Sequence, residues 1–206
     1  RMEEHAGHFV SVIAETLKGK DAGSVVALYD TELFGHWWFE GPEWLYLVIK
    51  KLAAGPIKPM TAGGCLDRLP PETVISLPEG SWGQGGFHWI WLNDDTSWIW
   101  KKIYRIEEAA AALTPRLARL DLRVLKQFFH EKFLLESSDW PFLISTWSAR
   151  DYAENRAAEH FERALTLAGW LEEGHALTDA EESLLRVFET EDRLFEEVVL
   201  PDGTVI

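Results

Sequence analysis

The sequence predicts an α/β segment followed by an all-α helical domain, and three features carry that expectation. Two short apolar runs, 24–29 (SVVALY) and 73–77 (TVISL), each end abruptly in a polar loop, as the buried strands of a βα fold do. A well-marked helix lies between them. Beyond Trp98 the apolar residues recur at helical spacing, in rows such as Leu117, Leu120, Val124 and Phe128, then Leu184, Phe188, Phe195 and Val199.

In chain order, Phe9, Val10, Ile13, Ala14 and Leu17 predict a helix over 3–18, stopped by Gly19, Asp21 and Gly23. The run 24–29 then delivers Asp30, and in βα architectures the C-terminal end of a strand is where active sites sit. Residues 30–40 are a loop. The next helix has Gly41 at its cap, Pro42 at its first position, Glu43 in its first turn, Lys50 and Lys51 in its last, and Gly55-Pro56 past its end. The run 73–77 opens onto Pro78-Glu79-Gly80. In the helical part, residues 101–135 carry eight basic and four acidic side chains, and residues 151–200 four basic and 14 acidic, a solvated acidic face. Residues 1–78 and 79–206 are the expected domains.

Composition sets the outer bounds. With 206 residues, 47% hydrophobic and 26% charged, the chain is ordinary for a globular protein and excludes disorder and collagen. A net charge of −14 repels phosphate backbones and disfavours nucleic acid, so substrates should be neutral or cationic. The single cysteine, Cys65, cannot form an internal disulfide and reads as a core residue in a reducing cytoplasm. No apolar run approaches the roughly 20 residues needed to span a bilayer, so no membrane partner is expected. Because the first residue is Arg1, either the start is Met2 or this is a piece of a longer protein.

Tryptophan is over-used: 11 residues, eight of them between Trp37 and Trp100. Indoles are awkward to pack and must place their N–H groups, which points to flat amphipathic ligands, with sugars leading; an aromatic-rich core beneath a loop is the other reading. Three constellations could carry chemistry. In Asp30-Thr31-Glu32-Leu33-Phe34-Gly35-His36-Trp37-Trp38, an acid at a strand end, a second acid two residues on, and His36 and Trp37 in one loop suit a general acid, although an Asp after a strand is also a common turn or cap residue. His36 has no clustered second His, so no metal site is expected. In Glu79-Gly80-Ser81-Trp82-Gly83-Gln84-Gly85-Gly86, continuing to Trp91-Leu92-Asn93, a glycine-rich loop carries indoles with little regular structure to pack under. It lacks the phosphate-loop lysine, and aromatic stacking in a cleft suits it better. In Ser137-Ser138-Asp139-Trp140-Pro141-Phe142, Asp139 reads as the cap of a short helix starting at Pro141, while Tyr152, Arg156 and His160 follow at steps of four as a polar seam.

Taken together, YDTELFGHWWFEG, LPEGSWGQGG with its following WLN, and SSDWPF with a downstream YAxxRxxxH resemble, in order, the C-terminal part of glycoside hydrolase family 57, nearest to the α-1,4-glucan branching enzymes. The resemblance covers most of the chain. It implies the last strands and helices of an incomplete (β/α)-barrel followed by a helical C-terminal domain, and a retaining mechanism on an α-glucan, needing no cofactor or metal. Asp30 falls on the family's acid/base Asp, and Trp82 and Trp91 on indoles of its glucan cleft. Glu79, His36, Trp37 and Asp139 are further candidates for binding substrate. The motif with the family's Glu nucleophile precedes this segment, so a missing N-terminal catalytic half is expected. The same residues would also suit a family 57 α-amylase fragment or a non-catalytic glucan-binding module.

Overall fold

A computed structural model describes residues 1–20, 22–200, 203, 205 and 206, with Ala118 described by its backbone alone. Asp21, expected to help end the first helix, lies outside them. The chain divides into two units, Arg1–Leu77 and Pro78–Ile206.

The first unit is built on α1 (Met2–Leu17) and α2 (Gly41–Ala54), with a short α3 (Ala62–Arg68) after them. Lys51 Nζ reaches Glu3 Oε1 at 2.8 Å, bringing the end of α2 to the start of α1. Between the helices lies a small core of Ala6, Trp44, Val48 and Leu52, flanked by Phe9, Phe34 and Trp38. Its centre is aromatic: Trp44 meets Phe9 at 5.0 Å, Trp38 at 4.9 Å and Tyr29 at 5.7 Å between ring centroids. Gly41 is explained by that packing, since a Cβ there would come within 3.0 Å of the Trp38 ring. Cys65 is half-buried on α3.

The expected strands are not formed, and the α/β assignment with barrel strands is corrected accordingly. Among the described residues there is no sheet, and the β-type pairing is an isolated antiparallel bridge between Val199 and Val205. Residues 24–29 and 73–77 are irregular and unpaired, with Leu28 88% and Val74 100% exposed. Their β-branched composition expresses a preference for a half-buried pleated surface, but a strand also needs a neighbouring ladder, and these residues have none. The protein described here is helical in both units.

The second unit contains α4 (Ser97–Leu113), α5 (Leu122–Leu135), α6 (Asp139–Ser145), α7 (Arg150–Glu173) and α8 (Asp179–Glu191). The long α7 packs against α4, α5 and α6, while α8 covers α5. Buried Ala153, Ala157, Ala164 and Ala168 keep α7 slim, so its neighbours approach closely enough for Ile99, Ile106, Phe128 and Ile144 to be fully enclosed. Each such aliphatic or aromatic side chain contributes about 1.5–3 kcal/mol of burial. Helix ends follow their signals: Asp121 accepts from Arg123 N and Val124 N at the start of α5, Gly174 closes α7 at φ +66°, and Thr178 with Glu181 forms a reciprocal capping box on α8. Among the described residues no helix is long and apolar enough to cross a membrane.

After α8 the chain runs back over α5, where Phe195 N donates to His130 Nε2 at 3.4 Å. His130 is buried, and burial, with Lys126 and Arg193 nearby, holds its imidazole below the ordinary value of 6.5. The folded protein thus keeps the ring neutral where the unfolded chain protonates it. This contribution to stability is complete above pH 6.5 and declines as pH falls through the depressed folded value. Urea unfolding at pH 7 and pH 5 should show a larger acid-side loss in wild type than in His130→Leu; equal losses would exclude His130 as a contributor.

Candidate functional site

Asp30 stands at the entry of a 3-10 turn, Thr31–Phe34, where Leu33 N donates to its carbonyl at 3.3 Å and its side chain makes no capping bond. Asp30, Glu32, His36 and Trp37 are all exposed, Trp37 at 74%. The turn is held from below: Trp38 N donates to Leu33 O at 2.7 Å, and the Trp38 ring packs on Phe34 and Trp44. Two neighbouring indoles therefore have opposite tasks, Trp38 anchoring the turn in the core and Trp37 standing clear of it.

In the second unit the glycine-rich loop closes on itself. Ser81 N donates to Gly86 O at 3.0 Å, Ser81 Oγ donates to Phe87 O at 2.6 Å and accepts from Gly83 N at 3.0 Å. Gly85 and Gly86 adopt φ of +69° and +78°, left-handed backbone that suits glycine. At Gly83 a Cβ would fall 2.6 Å from Phe87 O and 3.3 Å from the Trp91 ring, so this residue lets the loop seat directly on the indole. Trp82 meets Trp91 edge-to-face at 4.9 Å and Phe142 of α6 at 5.7 Å, leaving Trp82 69% exposed.

Trp91 is fixed through its backbone. Its carbonyl accepts from Thr96 Oγ1 at 3.0 Å and from Trp100 Nε1 at 2.8 Å. Asn93 Nδ2 donates to Trp89 O at 2.9 Å and to Ser145 Oγ at 2.8 Å, tying this loop to α6. Glu79 lies 3.3 Å from His88 Nε2. The geometry thus brings Glu79, Trp82 and Trp91 into one loop system. Asp139 is exposed in the first turn of α6 and is not its cap: the helix begins at Asp139, two residues before Pro141, with Ser138 as cap residue. Trp100 and Thr96 were not singled out by sequence reasoning, and Phe142 and Asn93 only as members of the SSDWPF and WLN motifs; Trp100 had the signal of another indole one helical stretch past the WLN motif.

Behind this surface lies a buried polar cluster. His160 Nδ1 is 2.8 Å from Glu131 Oε2, Gln127 Nε2 donates to Glu131 Oε1 at 2.8 Å, and Asp192 takes Arg156 Nη2 at 2.9 Å and Arg163 Nη1 on its two oxygens. Burial pushes the Glu131 carboxyl above the usual range against the opposing bonds from His160 and Gln127. Glu131, His160 and Asp192 offer ligand atoms within 4.8 Å of one another, but guanidinium groups occupy both Asp192 oxygens, and their charge opposes a divalent cation. The arrangement is an ion-pair network joining α5, α7 and the end of α8. Trp140 stacks on His160 at 6.1 Å and donates Nε1 to Leu134 O at 2.6 Å, so α6, which carries Phe142 and Ser145, rests on this network. The expected polar seam is present in Arg156 and His160, while Tyr152 is exposed beside Trp140.

Comparison with known proteins assigns this architecture. Residues 100–201 match the family model described as 1,4-alpha-glucan branching enzyme, C-terminal. The chain is 40% identical over 97% of its length to 1,4-alpha-glucan branching enzyme TK1436 of Thermococcus kodakarensis, covering 31% of that protein. A probable 1,4-alpha-glucan branching enzyme of Mycobacterium tuberculosis is 33% identical over 84% of this chain, which covers 36% of that relative. The crystal structure of a GH57-type branching enzyme from Pyrococcus horikoshii superposes with a TM-score of 0.75 at 38% identity, over 97% of this chain and 39% of that one. The chain thus spans about a third of the length of the curated relatives it matches. Residues 100–201 belong to the C-terminal domain family of the 1,4-α-glucan branching enzymes, and the chain as a whole is the counterpart of the C-terminal part of the GH57 branching enzymes.

Proposed function

We propose that this chain is the C-terminal portion of a retaining α-1,4-glucan branching enzyme whose nucleophile lies outside it. The observation that supports this reading most is the exposed Trp82 indole set edge-on against Trp91 over a closed glycine loop, in a chain related along 97% of its length to a branching enzyme. A pyranose presents an apolar C–H face to stack on such a ring and hydroxyls around its rim.

In this reading a Glu carboxylate of the missing part attacks the anomeric carbon while Asp30 gives its proton to the leaving glycosidic oxygen, with the two carboxyls about 5–5.5 Å apart. Asp30, now ionised, takes the proton of an acceptor glucan 6-hydroxyl as that oxygen displaces the enzyme carboxylate. The product is an α-1,6 branch. Water in place of the acceptor gives hydrolysis, so an indole surface that holds the acceptor and excludes water decides the outcome. Asp30 is exposed in this chain and open to a glycosidic oxygen.

Two results test the reading. The 206-residue chain alone should show no turnover of amylose. In the complete enzyme, Trp82→Ala should raise the ratio of released reducing ends to new α-1,6 linkages, with little change in stability because the ring is largely in solvent. Trp91→Ala should shift the ratio too but cost more stability, since Trp91 is half-buried beneath Gly83. Turnover by the isolated chain, or an unchanged product ratio in Trp82→Ala, would refute it.

A further inference from the structure

Beside Trp91 the second unit holds a cavity of about 400 Å³, within the size range of small-molecule sites. Its walls are Trp91, Trp100, Tyr104, Leu92, Ile103 and Pro141; its polar groups are Ser137, Ser138, Glu136 and His88. From these observations we infer that this cavity is a second glucosyl-binding site, taking a short segment of an α-1,4-linked glucan that continues past the Trp82–Trp91 surface. This inference rests on the reading of the chain as part of a glucan-processing enzyme and assigns residues that reading does not use.

Three features favour a sugar as the occupant. The first is the pairing of flat apolar walls with hydroxyls: Trp100 and Tyr104 lie one helical turn apart on α4, their ring centroids 6.1 Å apart, and Tyr104 is 54% exposed. An occupant matching only the walls would leave the hydroxyls of Ser137 and Ser138 without a partner. The second is rigidity. The Trp100 N–H bonds to the Trp91 carbonyl, and the Ser138 hydroxyl, at the cap position of α6, makes no capping bond and is available to a ligand. The third is charge. The lining has no arginine or lysine, which argues against a phosphorylated ligand, and Glu136, paired with Lys132 through one oxygen, keeps its other oxygen to accept from a sugar hydroxyl. Trp91 belongs to both surfaces, so a glucan can run from one to the other without leaving the aromatic wall.

The test is calorimetric titration of the 206-residue chain with maltoheptaose, and with 1-anilinonaphthalene-8-sulfonate as an apolar competitor. Wild type should bind maltoheptaose, and the sugar should displace the dye. Tyr104→Ala should weaken maltoheptaose binding at least about fivefold, as loss of a central aromatic contact does, while Tyr104→Phe, which keeps the ring, should stay close to wild type. Ser138→Ala should weaken it about two- to fivefold, the loss of one hydrogen bond. Circular dichroism and thermal melting establish that each variant is folded; Ser138→Ala carries the comparison if Tyr104→Ala is not, and its binding equal to wild type would then overturn the inference. Binding unaffected by Tyr104→Ala and Ser138→Ala but weakened by Trp82→Ala would overturn this inference and leave the proposed function standing. Dye binding that maltoheptaose does not displace, or no maltoheptaose binding at all, would also overturn it, whereas the proposed function fails on the product ratio and on Asp30.

Discussion

In the complete enzyme, Asp30→Asn is expected to lower turnover on amylose by roughly 10² to 10⁴, the usual worth of a positioned general acid/base, with substrate binding nearly unchanged. The substitution is clean because the Asp30 side chain makes no capping bond and stands exposed, so an amide of the same shape should leave stability within about 0.5 kcal/mol of wild type. A substrate with a very good leaving group needs little protonation, and with it the first step should recover while transfer to an acceptor hydroxyl stays slow. That split separates loss of a proton donor from loss of fold. An Asp30→Asn enzyme nearly as active as wild type on amylose would place the acid elsewhere.

What could be read in advance depended on whether an element's stabilising partners are local. For α2, the proline, the acidic first turn, the lysines and the closing Gly55 sit within a few residues of the ends they specify, and the helix spans Gly41–Ala54, with Glu40 in the cap position expected of Gly41. The first helix, Met2–Leu17, was legible from its apolar spacing in the same way. The runs 24–29 and 73–77 failed because strand propensity is conditional on a neighbour, which an apolar hexapeptide cannot reveal about itself. The helix α3 was hidden for the opposite reason. Gly63 and Gly64 advertise a loop, but Thr61 caps the segment by accepting from Gly64 N at 3.2 Å.

The tryptophans show the same limit within one residue type. Trp38 and Trp44 build the core of the first unit, Trp98 and Trp100 pack against that of the second, and Trp37 and Trp82 face solvent. Composition identified an aromatic excess and could not divide it into packing and presenting indoles, since that division depends on what crosses above each ring. At the candidate site, the motifs located Trp82 and Trp91, and the fold supplied what positions them: Thr96, Trp100, Asn93 and the underside of α6. Glu131 and Asp192 were illegible because they come from α5 and the end of α8 and meet His160 across 29 and 32 residues of chain.

That buried network should dominate the stability of the second unit, and Glu131, fully enclosed, is where it can be tested. Glu131→Ala removes the acceptor for Gln127 Nε2 and the partner of His160 Nδ1, both fully enclosed, and leaves a void between α5 and α7. Breaking one member of such a cluster costs about 3–5 kcal/mol, which in a unit of this size lowers the melting temperature on the order of 10 °C. Glu131→Gln should behave differently. Its amide oxygen can accept from Gln127, its NH2 can donate to His160 Nδ1, and the imidazole hydrogen then moves to Nε2, which has no partner in either case. The cost should be about 1 kcal/mol, because the raised proton affinity of Glu131 already disfavours its ionised form. The same contrast should appear at the surface. Trp140 stacks on His160 and α6 carries Phe142 against Trp82, so Glu131→Ala should loosen the indole pair and increase amide exchange in residues 139–145, while Glu131→Gln preserves both. A Glu131→Ala protein within about 1 kcal/mol of wild type in urea unfolding would mean that α6 does not depend on the Glu131–His160 bond.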